Sequence, residues 1–556
     1  MFKLNNHIET LYPNHAPETL SGIHELMTHY TGLIEKKPLE FTQKDAIFIT
    51  YGDSFTASEA VPLQSLHKVA GKHLTGLVNS LHLLPFFPFT SDDGFSVVDY
   101  KAVNPEFGDW SDIKSLGQDF DLMFDAVINH MSKASDWFQQ YLKGDASFQH
   151  FFIEENPENP ALKLVVRPRT WPLLHPFNKQ GKKTYIWTTF SEDQVDLNYS
   201  NPLVFLRILD ILLFYVSQGS RYIRLDAIAF LWKKLGTDCL HLKETHLVIQ
   251  LYRSIIEHVA PQTILITETN VPHLENLSYF GNGKNEAHMV YNFSLPPLLA
   301  YSLHAEDVDV LTQWAQTLKV PSNQTCFFNF TASHDGIGVR PLQGIVEKKQ
   351  ISKLAAKTIL HGGFVSYKAN PDGSNSPYEL NCNYMDLLTH PEEAKENRVK
   401  RFMLTQSVML CFPGIPGIYY HSVFGSENDR EGALSSGMNR RINRQKIDIE
   451  ILEKELNDKQ NIRSLIYNEF RNLLQVRKEH PCFHPSSKTT YINDNNLFII
   501  ERMYEGEKII CLHNFSGNPQ CIDKYLENAI NLTHWKKANS VLNPFDFLWL
   551  KMKSKN

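Results

Sequence analysis

Eight short runs of apolar, β-branched and aromatic residues recur along this chain, separated by helix-length amphipathic stretches. They are AIFITYGD at 46–53, LVNSLHLLPFFP at 77–88, LMFDAVINH at 122–130, YIRLDAI at 222–228, TILITETN at 263–270, HMVYNF at 288–293, TCFFNFTASHD at 325–335 and GIPGIYY at 414–420. Near-continuous apolar runs are what parallel strands look like when both their faces are covered. Alternation with helices makes them βα units, and eight such units close into a (β/α)8 (TIM) barrel. The expected fold class is therefore α/β.

Two gaps exceed an ordinary βα loop: residues 131–200 after the third run and 337–395 after the seventh. Long connections inside a compact domain are usually functional. Both leave the C-terminal ends of strands, where barrels carry their sites, so they are expected as inserted domains B and B' walling a pocket. The barrel then occupies 44–130, 201–336 and 396–481. Residues 1–43, with Leu11, Leu20, Ile23, Leu26 and Met27 near helical spacing, read as a helical extension packed on it. From 482 to 556 the pattern shortens to alternating runs such as NNLFIIERMY and KIICLHNFS, the mark of a small antiparallel β domain.

At 42% hydrophobic over 556 residues the chain has material for a large core. A net charge of −6 without a basic stripe argues against nucleic acid or an anionic membrane as partner. The opening MFKLNNHIETLYPNH has no apolar core of signal-peptide length, and no segment reaches the ~20 apolar residues of a membrane span. Seven scattered cysteines, never in a CxxC pair, suit a reducing compartment, so the expected location is the cytoplasm. The 24 histidines show no zinc-like spacing; His241 and His246, five apart on an expected helix, read as a hydrogen-bonded or solvated pair. Gly362-Gly363 is too isolated for a nucleotide loop. Neither metal nor cofactor is expected.

Three acids stand at the downstream ends of these runs: Asp226, Glu268 and Asp335. Two carboxylates roughly 5 to 5.5 Å apart are what a retaining glycosidic reaction requires, one as nucleophile and one as acid/base. Arg224 shares a strand face with Asp226, and a guanidinium favours the ionised carboxylate, as a nucleophile needs. An isolated Arg-x-Asp is ordinarily a structural ion pair; the strand-end series turns the weight the other way. Glu268 follows apolar ILIT, where burial near another acid would raise its proton affinity and make it the acid/base. Asp335 would hold sugar hydroxyls in the transition state. In Asn129-His130 and His334-Asp335, one residue of each pair must lie beyond its strand.

Taken together, DAVINH, YIRLDAIAF, ITETN and ASHD, in that order, resemble the four signatures of the α-amylase superfamily, and the resemblance runs over almost the whole chain. It implies Asp226 as nucleophile, Glu268 as acid/base and Asp335 as stabiliser, with Arg224, His130 and His334 lining a glucosyl subsite. Further stretches, HLLPFFPFTSDDGFSVVDY, VRPR, SPYELNCNYMDLL and MNRRINR, look like the sucrose phosphorylase group. That likeness brings Asp93 and Phe95 to the glucose pocket and Phe190 and Gln194 to its rim, and suggests Arg169, Tyr378 and Arg440 as phosphate or acceptor contacts. From spacing alone, Arg169 reads as a surface ion pair on an insertion loop.

The chain departs from the sucrose-using pattern where Glu-x-His becomes Glu268-Thr269-Asn270 and where Glu379 follows Tyr378 in place of Gln. The extended run that follows, NVPHLENLSYFGNGKNEAHMVYNFSLPP, with the longer N-terminal extension, looks like the phosphorylases whose acceptor is D-glycerate, which implies 2-O-α-D-glucosyl-D-glycerate and inorganic phosphate as substrates. Asn270, Tyr378, Glu379 and Arg440 then fall to the acceptor side, with Arg440, Arg169 or His273 as candidates for its carboxylate. Sucrose, sucrose phosphate or glucosylglycerol phosphorolysis, plain hydrolysis, and a non-catalytic sugar-binding barrel are the other readings.

Overall fold

The structure is a computed structural model that describes residues 2–168, 171–369 and 374–553. Eight strands close a parallel barrel: β1 (Ile47–Thr50), β2 (Ser80–Leu83), β3 (Asp121–Ala126), β4 (Ser220–Leu225), β5 (Ile264–Thr267), β6 (Met289–Tyr291), β7 (Cys326–Phe330) and β8 (Ile415–Tyr419). Neighbours in sequence are neighbours in the barrel, and β8 pairs back onto β1 through Ile47↔Gly417 and Phe48↔Ile418. Each of the eight apolar runs overlaps one of these strands, which is shorter than the run itself; β3 and β4 begin just before their runs. The residues left over turn off the barrel top as loops, which is where Asp226, Glu268, His334 and Asp335 stand. The third run is divided: β3 stops at Ala126, and His130–Ser132 starts an antiparallel ladder with Gln194–Asp196 inside the first insertion.

The first insertion also holds a hairpin of Leu174–Lys179 and Lys182–Trp187. The second carries Ile337–Gly338, Asn375–Asn381 and Phe364–Ala369 as a three-stranded antiparallel sheet, with the helix Lys348–Leu360 between its strands in sequence. Both rise beside the C-terminal end of the barrel. Helix α2 (Ala16–Thr31) packs on the apolar helix Pro202–Ser217, where Tyr30 donates to Asp210 at 2.7 Å; α1 (Phe2–Leu11) packs on α2 and on the helix Lys243–Val259, and Tyr12, just past it, lies against Phe205. His241 lies ahead of the helix Lys243–Val259, not on it, in a left-handed conformation (φ 53°), so it and His246 do not share a helix face. His241 faces Tyr279 and Glu275, and His246 faces Glu286.

The C-terminal region is a five-stranded antiparallel sheet of β9 (Lys488–Asp494), β10 (Leu497–Tyr504), β11 (Glu507–Asn514), β12 (Ala529–Asn531) and β13 (Phe547–Met552), ordered β9-β10-β11-β13-β12. It docks through a buried polar chain: Trp549 Nε1 donates to Ser407 Oγ at 2.8 Å, which meets His513 Nε2 at 2.9 Å. No helix among the described residues is long and apolar enough to cross a membrane.

Candidate active site

Arg224, at 1% exposure, organises the barrel top. It comes from β4, where its register partners are Asp125 on β3 and Ile266 on β5. Nη1 binds both Asp125 and Asp226, the latter at 2.8 Å, while Nη2 lies 3.8 Å from Glu268 Oε2. Asp125 is locked from its other side by His82 Nε2 at 2.7 Å. One guanidinium thus touches a structural carboxylate below and two cavity carboxylates above. Immediately after Asp226, Ala227 takes a left-handed conformation (φ 47°), unusual for a residue with a Cβ. That turn aims its N–H at Glu268 Oε2, 3.1 Å away.

The electrostatics of the two carboxylates follow from this geometry. Burial pushes the proton affinity of Asp226 up; Arg224 opposes it, and Glu268 adds to it. Glu268 is likewise raised by burial, against Arg224 and with a further push from Asp335. Two acids over one guanidinium retain a proton beyond the ordinary carboxylate range. Arg224 is 1 Å nearer to Asp226 than to Glu268, which favours the anion on Asp226, but burial outweighs that contact and pushes Asp226 up to about 8, so the two acids share a proton near neutrality. Asp335 behaves oppositely: burial alone would raise it, but the Arg440 and Arg444 guanidiniums outweigh burial and hold it well below the usual range. Burial lowers His334 to about 3, which keeps it neutral.

On one side of the cavity Phe95 stacks on His334, with centroids 4.6 Å apart and planes 4° from parallel. His130 Nε2 and Gln194 Nε2 both donate to Phe95 O, at 2.9 and 3.0 Å, and Phe190 packs on His130. The expectation for Asp93 is corrected here. Asp92 lines the cavity, with an oxygen 3.5 Å from Gln194 Nε2, whereas Asp93 points to the opposite side of the turn, 2.7 Å from Arg444 and 3.6 Å from Arg441. Both aspartates have positive φ (54° and 48°), and this tight turn reverses the side chains. Arg444, which also donates to His334 O at 2.8 Å, and Asp92 were both missed by sequence reasoning.

Across the cavity stand Asn270, Tyr378, Glu379, Arg440 and Arg340. Arg440 is not a free cation awaiting phosphate. It grips Glu379 through Nε and Nη2 (2.9 and 2.7 Å) and Asp335 through Nη1 (2.6 Å). Glu379 is buried and also accepts from Gly336 N at 2.8 Å, where a Cβ would overlap it. His273 does not line the cavity; its ring meets Trp314 edge-on, and burial lowers it to about 4. Arg169 lies outside the described residues. Arg340, five residues past Asp335, is a further residue missed by sequence reasoning; nothing in GIGVRP marks it beyond its closeness to that acid. The cavity measures about 440 Å³, enough for a disaccharide-sized ligand.

A closed (β/α)8 barrel whose C-terminal end gathers Asp226, Glu268 and Asp335 around buried arginines, under two inserted walls, is the framework of a carbohydrate-active enzyme. The alpha amylase catalytic-domain model matches residues 71–368. This chain belongs to the α-amylase family, and it is an enzyme. It is 42% identical to glucosylglycerate phosphorylase of Escherichia coli (strain K12) over 99% of this chain and 100% of that protein. It is also 42% identical to glucosylglycerate phosphorylase of Allomeiothermus silvanus, over 98% of this chain and 97% of that protein. Named sucrose phosphorylases are more distant. The crystal structure of sucrose 6F-phosphate phosphorylase from Thermoanaerobacter thermosaccharolyticum shares the fold, with a TM-score of 0.75 at 22% identity over 85% of this chain and 94% of that one.

Proposed function

We propose that the enzyme is a retaining α-glucoside phosphorylase that converts 2-O-α-D-glucosyl-D-glycerate and phosphate into α-D-glucose 1-phosphate and D-glycerate. The observation that carries this reading is the 42% identity to glucosylglycerate phosphorylases along the entire chain, joined to a carboxylate pair held on one guanidinium. Asp226 in its ionised form, paired with Arg224 while Glu268 carries the shared proton, attacks C1 of the glucosyl unit. Glu268 gives its proton to the departing glycerate oxygen, leaving a β-glucosyl ester on Asp226. A phosphate oxygen then attacks C1, its proton returns to Glu268, and the ester bond breaks to restore the Asp226 carboxylate. Two inversions retain the α configuration. Asp335 and His334, with Phe95 stacked beneath, face the sugar, and Asp92 takes the hydroxyl contact expected of Asp93.

Arg169, Tyr378 and Arg440 remain the proposed phosphate contacts, with Arg440 engaging phosphate only by giving up part of its hold on Asp335 or Glu379. A sucrose-type acceptor is the weaker reading, since the relatives named for sucrose lie further off. All seven cysteines are unpaired and six are buried, which supports a cytoplasmic, reducing location. The reading is tested by supplying 2-O-α-D-glucosyl-D-glycerate with phosphate and following the sugar phosphate by proton NMR. Appearance of the α anomer first supports it; no sugar phosphate, or the β anomer, rejects it.

A further inference from the structure

Double displacement at one carbon imposes a constraint on the acceptor side of this cavity. The leaving glycerate and the incoming phosphate both stand on the face of C1 away from Asp226, so they use the same space in turn. Both are anions. The space therefore needs a cation that the protein's own carboxylates have not already neutralised.

The cavity arginines differ sharply in this respect. Arg440 is engaged by Glu379 and Asp335, and Arg444 by Asp93 at 2.7 Å with Asp92 and Asp335 each at 3.9 Å. Arg224 is buried among Asp125, Asp226 and Glu268. Arg340 also lines the cavity, on the short 3-10 turn Arg340–Leu342 that follows Asp335 and Gly336. Among the described residues no carboxylate lies within 4.0 Å of it. Its charge acts on Lys368, half-buried on the strand whose Ser366 and Tyr367 line the same cavity, and on His241. Lys368 in turn faces Arg340 and Lys348, and among the described residues no acid stands with them in setting its proton affinity. Two partly buried like charges placed together are costly unless an anion joins them.

We infer that Arg340, backed by Lys368, is the group that holds the oxyanion of the species entering or leaving at C1, the carboxylate of D-glycerate in one half-reaction and phosphate in the other. The inference rests on the phosphorylase reading above and assigns it an acceptor-specificity residue. A planar fork accepts either a carboxylate or a phosphate edge, so one side chain serves both half-reactions.

The test uses α-glucosyl fluoride as donor, so that the glucosyl enzyme divides between water and an added acceptor. The product ratio does not depend on how much of a variant is folded. For Arg340→Gln, the ratio of glucose 1-phosphate to glucose at fixed phosphate, and of glucosylglycerate to glucose at fixed D-glycerate, is expected to fall by about ten- to a hundredfold. A fall in one arm alone assigns Arg340 to that oxyanion; unchanged ratios in both arms overturn the inference. If Arg340→Gln does not accumulate, Arg340→Lys and Lys368→Gln are expected to lower the same ratios by smaller factors, and unchanged ratios there overturn it equally. Wild-type enzyme that makes glucose 1-phosphate but no glucosylglycerate would reject the glycerate reading while leaving the phosphate arm to judge Arg340.

Discussion

Arg440 Nη1 lies 2.6 Å from Asp335 Oδ1, so the acid at the end of the seventh βα unit is held by a guanidinium that reaches it from beyond the second insertion. The same guanidinium grips Glu379, which is buried and belongs to that insertion. Arg440 therefore couples the inserted wall to the barrel as well as ionising Asp335.

A pH-dependent loss of stability follows for Arg440→Gln. Asp335 in the folded protein sits well below its ordinary value, so its contribution to stability is present above about pH 4 and is lost as pH falls toward the folded value. Removing Arg440 also strands the buried Glu379 carboxylate, a change that costs about 3–5 kcal/mol when a buried pair is broken. Apparent melting temperatures of wild type and variant are expected to differ most at pH 7 and to converge as pH falls below about 4. A difference that is constant with pH contradicts the assignment.

Glu268→Gln separates acid catalysis from nucleophilic attack. General acid assistance contributes roughly 10²–10⁴-fold, and α-glucosyl fluoride needs little of it. The variant is expected to lose that factor on glucosylglycerate and much less on the fluoride. Because Glu268 is raised above the ordinary carboxylate range and acts protonated, wild-type activity falls on the alkaline side as it ionises. That limb is absent from the variant's kcat/KM profile on the fluoride. Equal losses on both substrates contradict the role.

Asp226→Asn removes the group that forms the ester, so turnover of both substrates is expected to fall by at least roughly 10³-fold. Burial already favours the neutral form of Asp226, so the amide is expected to melt no lower than wild type at neutral pH. A variant that is inactive because it is unfolded would show itself in the same melting scan.

Lys233→Met addresses how the first insertion is pinned. The ammonium, 4% exposed, lies 2.6 Å from Asp196 Oδ2 and 2.7 Å from Asn129 Oδ1, bridging the loop after β3 to the returning strand of the insertion. Leaving Asp196 buried without its cation costs about 3–5 kcal/mol. Hydrogen exchange is expected to quicken in 130–132 and 194–196 before the barrel strands. Uniform exchange across the chain contradicts a local pin.

The barrel was legible because strands covered on both faces spell themselves out as continuous apolar runs, and because Asp226, Glu268 and Asp335 stand at the downstream ends of three of them. Strand lengths were overread, since apolar residues past Ala126 and Phe330 are buried loop residues and not ladder. Turn geometry was not legible: two successive positive φ values decide that Asp92 and not Asp93 meets the cavity, and Asp-Asp-Gly does not announce them. Pairings across the insertions were hidden for another reason. Arg440 with Glu379, and Arg340 with no carboxylate within 4.0 Å among the described residues, are facts of three-dimensional proximity that no local spacing encodes.

The central claim is tested most directly by giving purified enzyme α-glucose 1-phosphate with D-glycerate, fructose, fructose 6-phosphate, glycerol or water alone, and measuring phosphate release. Rapid release with D-glycerate, with the other acceptors slower by at least about tenfold, is the expected result. Release that is as fast with water alone, or faster with fructose or its phosphate than with D-glycerate, contradicts it.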